Sequence, residues 1–248
     1  MKLSEIFKQL SYGELSQLNV GGSGSGAIAD ADYDRLVSCI NLGLTALHTR
    51  FPLKRKTLSL KVVPGQSIYR LHSDFATSND ESEEAVKYIL DSADDPFLDD
   101  ILKVEAVFTA EGVELVLNSR GNSKSVFTPS HGVLTLPADI HSPTGSTESI
   151  YLTESVVVDY RANHPIMADG VGMYLGDTVE VDLPYQYLQP LLYFVASRLH
   201  NPLGMSNEFH MGNSFAAKYE LACRELETHN VGIDQLGDTA KFSNRGWV

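Results

Sequence analysis

Nine carboxylates crowd one stretch of this chain: Asp80, Glu81, Glu83, Glu84, Asp91, Asp94, Asp95, Asp99 and Asp100. Oxygens grouped this way can hold calcium, and a pair of them flanking a sugar linkage can hydrolyse it. The spacing fits neither chemistry. In the run from Asp91 to Asp100, Pro96 stands where an EF-hand loop needs glycine, and no glutamate closes the loop at its twelfth position. A stretch this acidic supplies carboxylate pairs by composition alone. It reads as a solvated loop, with a helical turn or two expected over residues 83–90.

The other residue types that do chemistry are equally unsupported by their neighbours. There are eight histidines, but His200 and His210 are separated by a predicted loop and no HExxH or Cys-rich spacing accompanies them. His131 and His141 fall in Gly/Pro/Ser-rich turns. Gly22-Ser-Gly-Ser-Gly26 spells a nucleophile elbow, yet it follows no strand and opens no helix. The same glycines lack the Lys-Ser/Thr ending of a phosphate loop, and no dinucleotide fingerprint follows a strand. No catalytic residue, metal ligand or cofactor is expected, and the chain is read as a non-enzyme.

The elements follow from periodicity. Leu3, Ile6, Phe7 and Leu10 make one apolar stripe of a short helix that Leu15 and Leu18 could extend. Residues 1–20 form this N-terminal element, and residues 21–29 read as a flexible Gly/Ser linker. Asp30 or Asp32 caps a second helix whose buried stripe is Leu36, Ile40, Leu44 and Leu47, ended by Phe51-Pro52. Extended patterns then take over. Leu58, Leu60 and Val62 alternate with polar residues, and Ile68, Tyr69 and Leu71 resume after Pro64-Gly65, which reads as a hairpin. Further strands are expected at residues 102–109 and 113–117 around the Glu111-Gly112 turn, at 126–127, 132–136 and 149–160, and a last one at 178–181. Helix returns after Asp182, with Leu188, Leu191, Leu192, Val195 and Leu199 on one face and Pro190 expected to kink the helix or delay its regular part. A final helix starts at Ser206 or Asn207 and buries Phe215, Tyr219, Ala222, Cys223 and Leu226.

The fold class is therefore α+β. Residues 30–56 and 182–230 are expected to form a helical bundle from both ends of the chain. Residues 57–181 form an inserted antiparallel β domain carrying the acidic insertion 73–100. Residues 231–248 have no periodicity and read as an extended C-terminal tail. Its Phe242 and the only tryptophan, Trp247, are anchors with no core of their own. Burying both would contribute on the order of 3–5 kcal/mol, which suits a docking tail that acts in many linked copies.

Charge narrows the partners. The net charge is −13, with 19 basic against 32 acidic residues, and Lys54, Arg55 and Lys56 are the only basic triplet. A protein that grips duplex DNA by its phosphates needs the opposite balance. No apolar run approaches the roughly 20 residues that span a bilayer, and the N-terminal apolar residues are spaced unlike a signal core. Cys39 and Cys223 both fall on predicted helix faces and read as small buried hydrophobes.

In order, these pieces resemble the head-to-tail adaptor (connector) proteins of tailed bacteriophages. The resemblance rests on the helix from Tyr33 to Phe51, then Leu102-Lys-Val-Glu-Ala-Val-Phe108, Val126-Phe-Thr-Pro129 and Leu134-Thr-Leu-Pro137. It continues through Val158-Asp-Tyr-Arg-Ala-Asn-His164 and the helical hairpin with Leu183-Pro184, Tyr193, Ala196, Arg198, Phe215 and Tyr219. Asn244-Arg-Gly-Trp-Val248 closes it. The first 25 residues and the acidic stretch 73–100 lie outside it.

The resemblance implies a structural virion protein made in the bacterial host cytoplasm and placed at the head–tail junction. It implies a homo-oligomeric ring of twelve copies between the portal protein and a tail or nozzle protein. Double-stranded DNA would pass the lumen without specific binding, and no membrane is involved. Carried onto this sequence, Phe242, Asn244, Arg245, Trp247 and Val248 become the portal- or neighbour-binding residues. Two other readings stand beside it: a receptor- or glycan-binding virion module with Tyr151, Tyr160 and Tyr174 as stacking groups, and a cell-wall hydrolase.

Overall fold

The computed structural model describes residues 1–16, 28–137, 140, 154–171, 176–200 and 206–229. Among them the protein is α+β, with four helices and two antiparallel sheets. The chain divides into two units. One gathers Met1–Leu47 and the described residues from Ile166 onward, and the other is His48–Pro165.

In the first unit, α1 (Leu3–Tyr12) buries the expected stripe of Leu3, Ile6, Phe7 and Leu10. It stops at Gly13, whose N–H reaches the Gln9 carbonyl at 2.9 Å. Leu15 is buried beyond the helix end and does not extend it. The start of α1 is pinned by backbone: the Leu3 N–H donates to the Val179 carbonyl at 3.0 Å, and the N-terminal ammonium to that of Val181 at 3.0 Å. The strand expected at residues 178–181 is thereby reduced to one isolated bridge between Glu180 and Lys2. A 3-10 turn at Asp30–Asp32 leads into α2 (Tyr33–Arg50), and Leu36, Ile40, Leu44 and Leu47 are buried as the spacing required. A second 3-10 turn, Tyr185–Tyr187, precedes α3 (Leu188–Leu199). Pro190 sits in the first turn of α3, where its missing N–H has no carbonyl to serve, so it delays the regular helix and does not kink it. The last helix, α4, runs Ser206–His229.

In the second unit the five-stranded sheet has the order β3-β1-β8-β4-β5, with β1 at Arg55–Lys61, β3 at Ile89–Leu90, β4 at Ile101–Thr109, β5 at Glu114–Leu115 and β8 at Ser155–Ala162. The three-stranded sheet has the order β2-β7-β6, from Ile68–Arg70, Val133–Thr135 and Phe127–Ser130. The β4–β5 hairpin forms where Gly112 permits a positive φ of 81°. The expected β1–β2 hairpin does not form. Its turn exists, with Gly65 at φ 81°, but β1 pairs with β8 from Arg55↔Arg161 to Lys61↔Ser155 while β2 pairs with β7. The two strands diverge into different sheets, β1 into a seven-pair ladder with β8 and β2 into a three-pair ladder with β7. Residues 83–88 form no helix; the chain there is irregular and ends in β3.

Tyr88 ties the two sheets. Its own carbonyl accepts from the Lys61 N–H at 2.8 Å, beside β3 in the larger sheet. Its phenol meets the edge of β2 in the smaller sheet, accepting from the Arg70 N–H at 2.8 Å and donating to the Arg70 carbonyl at 2.9 Å. The ring is 2% exposed, lies edge-on to Tyr69 at 5.0 Å and stacks on Phe75 at 4.9 Å. Burial pushes the phenol pKa up to about 12, against the smaller lowering by the Arg70 backbone.

Tyr88→Phe keeps the packing but strands the Arg70 N–H and carbonyl, so it should destabilise the protein by about 1–3 kcal/mol in urea unfolding. The sign of the pH effect follows from the raised pKa. The contribution is full below about 10, the ordinary tyrosine value, and is lost as pH rises toward about 12. The variant should show a shallower alkaline loss of stability.

Candidate functional site

The residues assigned to partner binding, Phe242, Asn244, Arg245, Trp247 and Val248, lie outside the described residues. Tyr151 and Tyr174, two members of the glycan-stacking trio, lie outside them as well. The third, Tyr160, is 2% exposed, edge-on to Phe97 at 6.5 Å, and donates to Asp100 Oδ1 at 2.9 Å. Burial first, and the Asp100 carboxylate second, hold its phenol far above the usual range. Tyr160 is a core residue and cannot stack on a sugar.

What leads to the C-terminal residues is the α3–α4 hairpin. From α3, the buried face is Leu188, Leu191, Leu192, Val195, Ala196 and Leu199. From α4, Phe215 and Cys223 are buried, with Tyr219, Ala222 and Leu226 half-buried on the same stripe. Aromatic contacts close the seam. Phe194 meets Tyr219 edge-on at 5.3 Å, and His200 stacks on Phe215 at 5.2 Å. Cations cover its margins: Lys218 Nζ lies 4.9 Å from the Phe215 ring centre, and Arg198 lies over Phe194 at 5.3 Å. His200 is itself buried, with Nε2 3.0 Å from the Glu14 carbonyl. Close approach of α2 to α3 depends on Gly43, where a Cβ would come within 2.6 Å of Leu191 and 3.0 Å of Phe194.

Several described residues of α4 outside this stripe are exposed. Met211 is 42% and Leu221 58% exposed, and Ala216, Ala217, Glu220, Arg224 and Glu225 are exposed with them. The helix is about 36 Å long at 1.5 Å per residue, and the buried apolar side chains described on it, Phe215 and Cys223, lie on a single stripe. Cys39 and Cys223 are not joined in a disulfide. Burial pushes the Cys39 thiol up, against partial lowering by Arg35 and Arg198.

In the sheet unit, the acidic stretch is only partly solvated, which corrects the sequence expectation. Asp94 and Asp95 are exposed, but Asp91, Asp99 and Asp100 each hold the fold. Asp91 accepts from the Ser78 N–H at 2.8 Å, the Phe97 N–H at 2.9 Å, the Thr77 hydroxyl at 3.1 Å and the Ser78 hydroxyl. Burial alone would raise its pKa, yet these donors together hold the carboxyl below its ordinary value. Asp99, at a left-handed φ of 57°, accepts from the Ser73 N–H and hydroxyl, both at 2.6 Å. Asp100 pairs with Lys56 at 2.7 Å and with Tyr160. On the far side of β8, Glu105 faces Lys103 at 3.0 Å and Arg161 at 2.9 Å. Burial there too works against ionisation, and the two cations win, keeping the carboxyl low.

In these sets the serine hydroxyls donate to carboxylates that backbone amides also hold. The Ser73 hydroxyl is held by Asp99, while His72 Nδ1 lies 3.1 Å from Asp74 and its Nε2 3.8 Å from Asp99. Among the described residues no group of three or more His, Cys, Asp or Glu is arranged to hold a metal ion. No described helix is long and apolar enough to cross a membrane. Sequence reasoning missed the structural carboxylates because their donors, Ser73, Thr77 and Ser78, are unremarkable polar residues at a distance of 13 to 26 positions.

Asp91→Asn should cost about 1–3 kcal/mol, the scale of hydrogen bonds to a charged acceptor, read as a lowered midpoint in urea. The contribution of Asp91 is present above pH about 4 and is lost as pH falls through its lower folded pKa. The acid limb of stability should therefore flatten in the variant. Compared with known proteins, the chain matches no protein-family model and no curated protein sequence.

Proposed function

We propose that this chain is a head-to-tail adaptor of a tailed bacteriophage, a ring-forming structural protein between portal and tail. The observation that carries the reading is α4. It is 24 residues long and buries one stripe against α3, while Leu221, Met211 and a mixed-charge face remain open to solvent. A ring subunit needs two different lateral surfaces that close by rotation. A long helix with a spare face, continuing into an aromatic-bearing segment, supplies one of them.

Charge supports the same reading. At −13 the protein has little with which to hold phosphates, so DNA passing through such a ring would slide and not stick. The docking energy of one tail is small, and a ring makes it sufficient by presenting many tails at once. The tail carries Phe242, Asn244, Arg245, Trp247 and Val248 to the portal or to the neighbouring subunit.

The test is removal of residues 242–248. The truncated protein should keep its unfolding transition, because the described buried apolar residues of the two units run from Leu3 to Cys223. By light scattering and co-purification it should fail to form the complex that the full chain makes with its portal. Loss of the unfolding transition on truncation would show the tail to be an internal clasp and overturn the proposal.

A further inference from the structure

Strand β1 is longer than the strand that covers it. β3 pairs only with Ser59 and Leu60. In an antiparallel ladder, alternate residues direct both backbone groups to the same side. The Lys61 N–H bonds the Tyr88 carbonyl on the β3 side, whereas the Val62 N–H bonds Glu154 and the Lys54 carbonyl bonds Ala162 on the β8 side. Odd-numbered residues of β1 therefore face β3. After Leu90 the chain turns away, because Asp91 is held by Ser78, Thr77 and the Phe97 amide. Thr57 and Arg55, both exposed, are left with two N–H and two carbonyl groups that have no partner among the described residues.

Beside this open edge lies a cleft of about 610 Å³, lined among others by Arg55, Thr57, Leu58, Asp95, Phe97 and Asp159. The lining holds three carboxylates, Asp91, Asp95 and Asp159, and two cations, Arg55 and Lys56, and the ammonium of Lys56 is held by Asp100 at 2.7 Å. The cleft is thus acidic in balance. Leu90, 44% exposed, adds apolar surface at its rim. An exposed strand edge with unpaired backbone groups is a template for an added strand.

We propose that the β1 edge accepts residues 241–248 of a second copy as an added β-strand, an inference that rests on the docking tail of the adaptor reading. That segment, Lys241-Phe-Ser-Asn-Arg-Gly-Trp-Val248, carries two cationic side chains and no acidic one, the complement of the cleft. It has no proline to interrupt a ladder. In extended form its side chains alternate, so Ser243, Arg245 and Trp247 share one face and Phe242 and Asn244 the other. Backbone pairing at two residues is weak alone and becomes effective around a ring.

The experiment titrates a dye-labelled synthetic peptide of residues 241–248 into the full-length protein and follows fluorescence anisotropy. The peptide should bind with a Kd of about a millimolar or tighter. Thr57→Pro, which removes the N–H facing the cleft and leaves the β8 ladder intact, should weaken it about tenfold. Asp95→Lys, at an exposed position, should weaken it several-fold, and a control peptide with both cations replaced by glutamate should not bind. Absence of peptide binding overturns the proposal, as does binding that Thr57→Pro leaves unchanged in a folded protein. If Thr57→Pro does not fold, an undiminished affinity in Asp95→Lys overturns it. A portal complex that forms while the peptide does not bind sinks the added strand alone; peptide binding with no portal complex sinks the adaptor reading alone.

Discussion

The sheet unit depends on one phenol. Tyr88 belongs by its backbone to the margin of the five-stranded sheet and by its hydroxyl to the edge of β2 in the three-stranded one. Neither sheet could keep its relation to the other through apolar contact alone with the same specificity, since hydrophobic packing is not directional. A buried hydroxyl that completes both backbone groups of Arg70 is directional, and leaving those groups unpaired costs more than the bond itself contributes. Around this tie the unit is closed by Leu58, Leu60, Val107, Val156 and Val158 from one sheet and Tyr69, Leu71, Leu134 and Leu136 from the segments of the other.

The acidic stretch takes its shape from that constraint. Between β2 and β4 the chain must leave one sheet, deliver Tyr88 and Ile89, and return to start β4. Asp91 and Asp99 fasten the two bends through hydroxyls and amides of residues 73–78, and Asp100 closes the end on Lys56 and Tyr160. Carboxylates can do this because one group accepts several hydrogen bonds at once and gains strength from its charge. The remaining acidic side chains stay in water. The same turn away of Asp91 leaves half of β1 uncovered, so the feature that stabilises the loop also creates the open edge.

The helical unit is organised on a different rule. α3 is wrapped on several sides, with Gly43 of α2 at van der Waals limits and α4 sealed by aromatic contacts. α4 buries Phe215 and Cys223 on one stripe and exposes Met211, Ala216, Ala217, Leu221, Arg224 and Glu225. In the adaptor ring we propose, the exposed side chains of that helix would be available for a lateral contact.

Residues 3–10, 36–47, 188–199 and 215–226 showed their helices in the order of their apolar side chains, because a helix is closed by bonds four residues apart and its pattern is local. The β4–β5 hairpin was legible for the same reason, with Gly112 supplying the turn. The β1–β2 pairing was not, since β1 takes a partner about a hundred positions away whose register only the folded chain reveals. Nor were the structural roles of Tyr88, Asp91 and Asp99, whose donors and acceptors are brought together by that pairing. Sequence alone determined the α+β class, the helices and the acidic balance, all of which are sums or short-range patterns. Tertiary structure decided which strands meet, which carboxylates are buried and where an edge stays open, because long-range pairing is settled by the burial of the whole core and not by any one segment of it.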